Sequence, residues 1–146
     1  GFGLACASDI AIASHTVKFA LPETTLGLIP AQIAPVLLER IGYSEAKRLT
    51  VTGARIGADE AMRIGLVHAI TDEMDEDLGD AVRHALKCAP QAVAVSKQLL
   101  RDARFAQSDT LVEHAANLFV DAVTGSEGAE GTAAFVEKRK AAWMPK

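Results

Sequence analysis

The residue best suited to chemistry is Glu23, set in the stretch Phe19-Ala20-Leu21-Pro22-Glu23-Thr24-Thr25-Leu26-Gly27-Leu28-Ile29-Pro30. A glutamate in a loop is ordinarily a solvated surface charge. Here Leu21 and Pro22 precede the carboxylate, and Leu26, Leu28 and Ile29 follow it. Apolar flanks suit proton transfer near neutral pH, and Pro22 stiffens the backbone that aims the side chain. The second candidate is the opening Gly1-Phe2-Gly3, which leads into the small-residue run Leu4 to Ser8. Glycines permit close approach and leave amide N–H groups open, a means of holding an oxygen on which negative charge develops. The same pair would also serve as a plain strand-to-helix turn. Third come Phe135 and the basic Lys138-Arg139-Lys140. A basic helix end either complements the helix dipole in solvent or meets phosphate, for which lysine is a common point charge.

Other chemistries find little support. His15, His68, His84, His114, Cys6 and Cys88 show no mutual metal-ligand or redox spacing, so no metal site is expected. A net charge of −4 gives no basis for nucleic-acid binding through phosphate neutralisation. Lys18 and Glu23 interrupt the one long apolar run, so no membrane span is expected. Two unpaired thiols suit a reducing compartment, with cytoplasm as the default expectation. Lys97 and Arg104 read as surface charges of a helix.

The elements that must position these residues are short at first and helical later. Asp9 to Ala13 and Val17 to Phe19 read as strands around the turn Ser14-His15-Thr16. Apolar spacing predicts a helix from Ile33 to Ile41, ended by Gly42, and a second from Glu45 to Val51, ended by Gly53. Ala58 to Ile64 reads as a short helix closed by Gly65, and Leu66 to Ile70 as a strand. From Asp72 onward the pattern is helical: Met74 to Cys88, Pro90 to about Ala103, Thr110 to Val123, and Glu127 to about Arg139. The expected inward faces include Leu78, Val82 and Leu86, then Val95, Leu99 and Leu100, then Leu111, Ala115, Leu118, Phe119 and Ala122. Strands first and helices last imply an α/β part over 1–71 and an all-helical part over 72–146.

At this point the motifs resemble a family. Phe19, Pro22, Glu23, Leu26, Gly27 and Pro30 fit F-x-x-P-E-x-x-L-G-x-x-P of the crotonase superfamily of enoyl-CoA hydratases and isomerases. Leu49 to Gly53, Ala58 to Val67 and Glu130 to Arg139 extend the resemblance along the whole chain. It implies the crotonase fold, a ClpP-like spiral: the C-terminal part of its ββα core, then a helical tail used for trimerisation. Members carry on the order of a hundred residues before this point, so a missing N-terminal half of the same enzyme is expected as a partner.

The resemblance also assigns roles. Glu23 falls where the family keeps a catalytic glutamate. Gly1 falls on the glycine run of an oxyanion hole, whose donor is either Gly1 or the residue before it. Gly3, Leu21, Pro22, Phe135 and Lys138 fall at substrate-binding positions, Phe135 near the nucleotide and Lys138 on its phosphates. The substrate is an acyl-CoA, coenzyme A is part of that substrate, and no further cofactor is implied. The assembly implied is a homotrimer or a hexamer. Gly3 departs from the two-carboxylate hydratases, which place a first glutamate there. Members acting on branched or glutaconyl-type esters also carry glycine, and Pro30 to Pro35 resembles that branch. The reading is therefore an enoyl-CoA hydratase. The alternatives are a Δ3-Δ2 double-bond isomerase and a non-catalytic fragment for CoA binding or assembly.

Overall fold

Glycines with positive φ and short buried stretches set the boundaries of the elements in the computed structural model, which describes residues 1–104 and 108–145. The chain separates into two units, Gly1–Ala81 and Val82–Lys146. The first contains α1 (Phe2–Ala7), β1 (Ile12–Ser14), β2 (Phe19–Ala20), a 3-10 helix (Glu23–Leu26), α2 (Ala34–Thr52), β3 (Arg55–Ile56), α3 (Ala58–Arg63) and β4 (Ala69–Thr71). Then come α4 (Met74–Ala85), α5 (Pro90–Asp102), α6 (Ser108–Thr124) and α7 (Ser126–Val136).

β1 pairs in parallel with β4, Ile12 opposite Ala69, and β2 pairs antiparallel with β3, Phe19 opposite Ile56. The two early strands are therefore not partners of each other. Their ends differ from the sequence expectation because distant partners, not local pattern, fix how far a strand runs. The expected strand at Leu66 begins later, at Ala69, because the Leu66 and Val67 N–H groups both donate to Ala61 O and close α3. The small-residue run after Gly1 forms α1, a helix the sequence reading did not identify.

Gly42 breaks α2 where expected: its φ of 72° and ψ of 167° interrupt two helical halves. Gly53 at φ 58° ends the second half. The core of the first unit packs Phe2, Leu21, Leu37, Ile41, Leu49, Ile56 and Leu66, with the Phe2 and Phe19 rings edge to face at 6.0 Å. Leu21, Leu49 and Leu66 are fully buried, and each such leucine contributes about 1.5–3 kcal/mol.

The later half of α2 is tied to α3 by a four-membered ion-pair network. Arg48 bonds Glu45 and Glu60, and Arg63 bonds the same two carboxylates. Hydrogen bonds from Arg48 to Glu45, and from Arg63 to Glu60, hold both carboxyl groups below the usual carboxylate range.

The second unit buries less. Among its described residues Ala134 and Ala141 are buried, whereas Phe119 and Leu100, expected to face inward, are 69% and 70% exposed. Val82 on α4 and Leu86 just past its end are also exposed, as is Leu78, on the part of α4 that belongs to the first unit. Amphipathic spacing marked these apolar stripes correctly, but a stripe does not say which surface covers it. Among the described residues no helix is long and apolar enough to cross a membrane.

Candidate active site

Leu21 is the peg from which the Glu23 loop is hung. It is 1% exposed and belongs to the core, so it serves as an anchor, and it is Pro22, exposed, that leads into the turn. Thr25 closes that turn on Pro22 O, its N–H at 2.9 Å and its hydroxyl at 2.6 Å. Leu28 N–H donates to Glu23 O at 2.9 Å, and Gly27 at φ 73° allows the reversal. The turn is also pinned to α2: Thr24 Oγ1 donates to Thr50 O at 2.7 Å. Thr25 Cγ2 lies 2.5 Å from where a Cβ on Gly53 would sit. Only a glycine lets the end of α2 approach this closely, and its positive φ favours glycine as well.

Glu23 itself is half-buried, and its Oε2 is shut off from solvent with no hydrogen-bond partner among the described residues. Leaving a buried polar atom unpaired costs about 1–3 kcal/mol, more when it is charged. Such a group persists only where the surrounding structure holds it there, and active sites are where this strain is commonly kept. A carboxylate oxygen with free lone pairs can accept a proton or a hydrogen bond from a molecule brought to it.

Gly1 caps the N-terminus of α1 and is exposed, with no atom within 4 Å of where its Cβ would be. The first-turn amides of a helix lack intrahelical acceptors, so N–H groups here are available to an incoming oxygen. Gly3 is different. A Cβ on Gly3 would stand 2.7 Å from Ile33 Cγ2, so Gly3 is a packing glycine between α1 and the start of α2. Any side chain at that position, a glutamate included, would require Ile33 to give way.

In the second unit, Phe135 sits in the last turn of α7 and is 85% exposed. Arg139 N–H donates to Ala134 O and Lys138 N–H to Phe135 O, which closes the helix with Lys138 in the left-handed region at φ 54°. Arg139 makes a bidentate pair with Glu130 at 2.6 and 2.9 Å, and Lys140 Nζ donates to Pro145 O. Hydrogen bonds from Arg139 and the Ala142 N–H hold Glu130 down to about 2. Of the three basic residues, Lys138 therefore has no hydrogen bond or ion pair from its side chain among the described residues. A cavity of about 370 Å³ between α5, α6 and α7 is lined mainly by apolar groups such as Val95, Leu118 and Ala122. Of its two carboxylates, Asp121 and Glu127, the latter already accepts from Gln91 N–H and Ala92 N–H at 3.0 Å each.

The structure thus gathers Gly1, Gly3, Leu21, Pro22 and Glu23 in the first unit and places Phe135 and Lys138 in the second. Among the described residues no three His, Cys, Asp or Glu side chains are grouped so as to hold a metal. Sequence reading missed the supports: Thr24 and Thr25 under the turn, Ile33 against Gly3, and Arg40, which donates to the Cys6 and Ser8 carbonyls at the end of α1 and lies beside His68. The threonines carried a signal, being adjacent to Glu23. Arg40 carried none, since an arginine on an amphipathic helix reads as solvent-facing.

Comparison with known proteins shows the family and the fold. A family model described as enoyl-CoA hydratase/isomerase matches residues 1–146. A short-chain-enoyl-CoA hydratase from Clostridium acetobutylicum is 33% identical over 143 residues, covering 96% of this chain and 55% of the relative. An enoyl-CoA hydratase/isomerase from Marinobacter aquaeolei superposes with a TM-score of 0.93 at 48% identity, covering 98% of this chain and 55% of that one. Pseudomonas aeruginosa AtuE gives a TM-score of 0.94 at 47% identity, covering 99% and 57%. The chain spans about half the length of the relatives it matches.

Proposed function

Since the chain belongs to the enoyl-CoA hydratase/isomerase family and has its crotonase fold, we propose that it forms the Glu23-bearing part of a hydratase acting on a 2-enoyl-CoA. The observation that carries this reading is the buried, partnerless Oε2 of Glu23 on a loop pinned by Leu21, Thr24 and Thr25. In the reaction, water oxygen bonds to C3 of the unsaturated thioester while Glu23 takes the water proton. The C2–C3 π electrons shift to make an enolate, whose oxygen is held by backbone N–H at the start of α1. Glu23 then returns the proton to C2, and the thioester carbonyl reforms. Amide donors already in place stabilise the enolate without having to reorganise.

Coenzyme A enters with the substrate, and the chemistry calls for no further cofactor. Gly3 packed under Ile33 favours the one-glutamate branch, and with it branched or glutaconyl-type esters. The same observation supports a second reading, Δ3-Δ2 isomerisation, because carrying one proton between C4 and C2 needs a single carboxylate. Relatives nearly twice as long support a longer protein, in which residues outside this chain complete the oxyanion hole and acyl tunnel. Exposed Phe119, Val120 and Val112 on α6 support association through this unit, as a homotrimer or two trimers stacked as a hexamer. Unpaired Cys6 and Cys88 are compatible with the reducing cytoplasm.

Incubation of the complete protein in heavy-oxygen water tests the reaction. A 2-enoyl-CoA should yield a product labelled at C3. Migration of the double bond in a 3-enoyl-CoA, without label from either ester, would replace hydration by isomerisation. Absence of both reactions in folded protein would leave a CoA-binding or assembly module.

Lys138 offers a separate check on the nucleotide end. Lys138→Gly relieves a left-handed non-glycine residue and should raise stability by about 1 kcal/mol. If its ammonium meets the CoA phosphates, KM for CoA esters should rise by about 2–5-fold, the loss of one exposed charge contact. KM for the matching pantetheine thioester, which lacks the nucleotide, should not move. An equal change for both esters, or none for either, would remove Lys138 from the site.

A further inference from the structure

Arg40, in the last turn of α2 before Gly42, reaches back to the C-terminal end of α1. Its Nε donates to Cys6 O at 3.3 Å, and its Nη2 donates to Ser8 O. Its Nη1 lies 3.1 Å from His68 Nε2. His68 is in turn fixed on Ala11: the Ala11 N–H donates to Nδ1 at 3.0 Å, and the His68 N–H donates to Ala11 O at 2.7 Å. Nδ1 thus accepts from the backbone, and the ring presents Nε2 to the guanidinium. A cation at the last carbonyls of a helix also matches the negative end of its dipole.

The other end of α1 is held by Ile33, whose Cγ2 abuts Gly3. Ile33 and Arg40 are seven positions apart, a rise of about 10 Å along a helix, and the six residues of α1 span about 9 Å. The first half of α2 therefore grips α1 at both ends. The Ile33 contact is apolar and without direction, so it stops approach but not sliding. The guanidinium bonds are directional and fix the helix along its axis.

We propose that Arg40 is a positioning residue for the reaction, setting where the N–H groups at the start of α1 meet the thioester oxygen. This rests on the acyl-CoA reading above. Donors aimed at a developing charge work only when preorganised, and an error on the order of 1 Å can cost about 10²-fold in rate.

The test uses the complete protein and a 2-enoyl-CoA conjugated to an electron-rich aromatic ring, whose absorption moves to the red when the thioester oxygen is polarised. Arg40→Lys and Arg40→Met are compared with Glu23→Gln and with Arg48→Met, which breaks the ion-pair network on the later half of α2. The parent and Glu23→Gln should show the full red shift. Arg40→Met should lose most of it, with kcat down about 10-fold or more and KM within about twofold. Arg40→Lys, with one compact donor group in place of the planar fork, should fall between. Arg48→Met should lower Tm yet leave the red shift and kcat unchanged. Arg40 variants equal to the parent, or Arg48→Met matching the losses of Arg40→Met, would overturn the role of Arg40 alone. A parent with neither red shift nor turnover would overturn the acyl-CoA reading and this role with it. If Arg40→Met does not fold, Arg40→Lys decides.

Discussion

Glu23→Gln in the complete protein should lower turnover of a 2-enoyl-CoA by at least about 10²-fold, the usual effect of losing a general acid–base group. The amide has the carboxylate's shape but cannot take a proton from water and return it to carbon. The loop that carries residue 23 should not move, because Leu21, the Thr24–Thr50 bond and the Thr25 turn do not involve the carboxylate. Replacing a buried, unpaired oxygen of a carboxylate by a neutral amide also removes a desolvation penalty. The variant should therefore melt at the same temperature or higher while being nearly inactive, a trade expected at functional sites. Loss of absorbance of the unsaturated thioester measures the first effect and thermal melting the second. Near-normal turnover would remove Glu23 from the mechanism, and a large drop in Tm would assign it a structural role.

Gly53→Ala is expected to act on the same chemistry from a distance. Two penalties combine there: a positive φ that alanine resists, and a Cβ placed 2.5 Å from Thr25 Cγ2. The backbone term costs about 1 kcal/mol and the overlap about 1–3 kcal/mol. Relief comes most easily by pushing the 3-10 turn away from α2, which displaces the carboxylate two residues before Thr25. A shift on the order of 1 Å should reduce kcat about 10²-fold with a smaller change in KM. Thr25→Ser removes the offending methyl and keeps the hydroxyl that bonds Pro22 O. The double variant should recover much of the lost kcat and only part of the lost stability, since φ at residue 53 remains unfavourable. Equal kcat in Gly53→Ala and parent would show that the turn does not depend on this contact.

How much of this was readable beforehand depended on whether the cause lay in the local chain. Gly42, Gly53 and Gly65 mark real helix ends because positive φ is a property of one residue and its neighbours. Glu23 stood out because Pro22 and its apolar flanks are adjacent in sequence. The strand ends were not readable, since β1 takes its partner from Ala69–Thr71 and β2 from Arg55–Ile56. α1 was hidden by glycines and small residues that argue against a helix, and it is held instead by tertiary packing on α2. Gly3 could be recognised as a departure from a two-carboxylate pattern, but its cause, the methyl of Ile33, lies thirty positions on. In the helical half the apolar stripes were correct as stripes. Whether Phe119 faces a core or a surface is decided by whatever packs on it.

The break at Gly42 gives α2 the form of a pair of calipers. One jaw, before the break, carries Ile33 and Arg40 and measures off α1; the other, after it, carries Thr50 and Gly53 and measures off the turn of Glu23. The gap between the start of α1 and the turn of Glu23 then follows the angle between the two halves of α2 at Gly42. Chemistry that requires the proton at C2 differs from chemistry that requires it at C4 by little more than a carbon–carbon distance. Substitutions near residue 42 could reset that distance without altering either jaw, so a scaffold of this kind can drift between neighbouring reactions while its reactive groups stay the same.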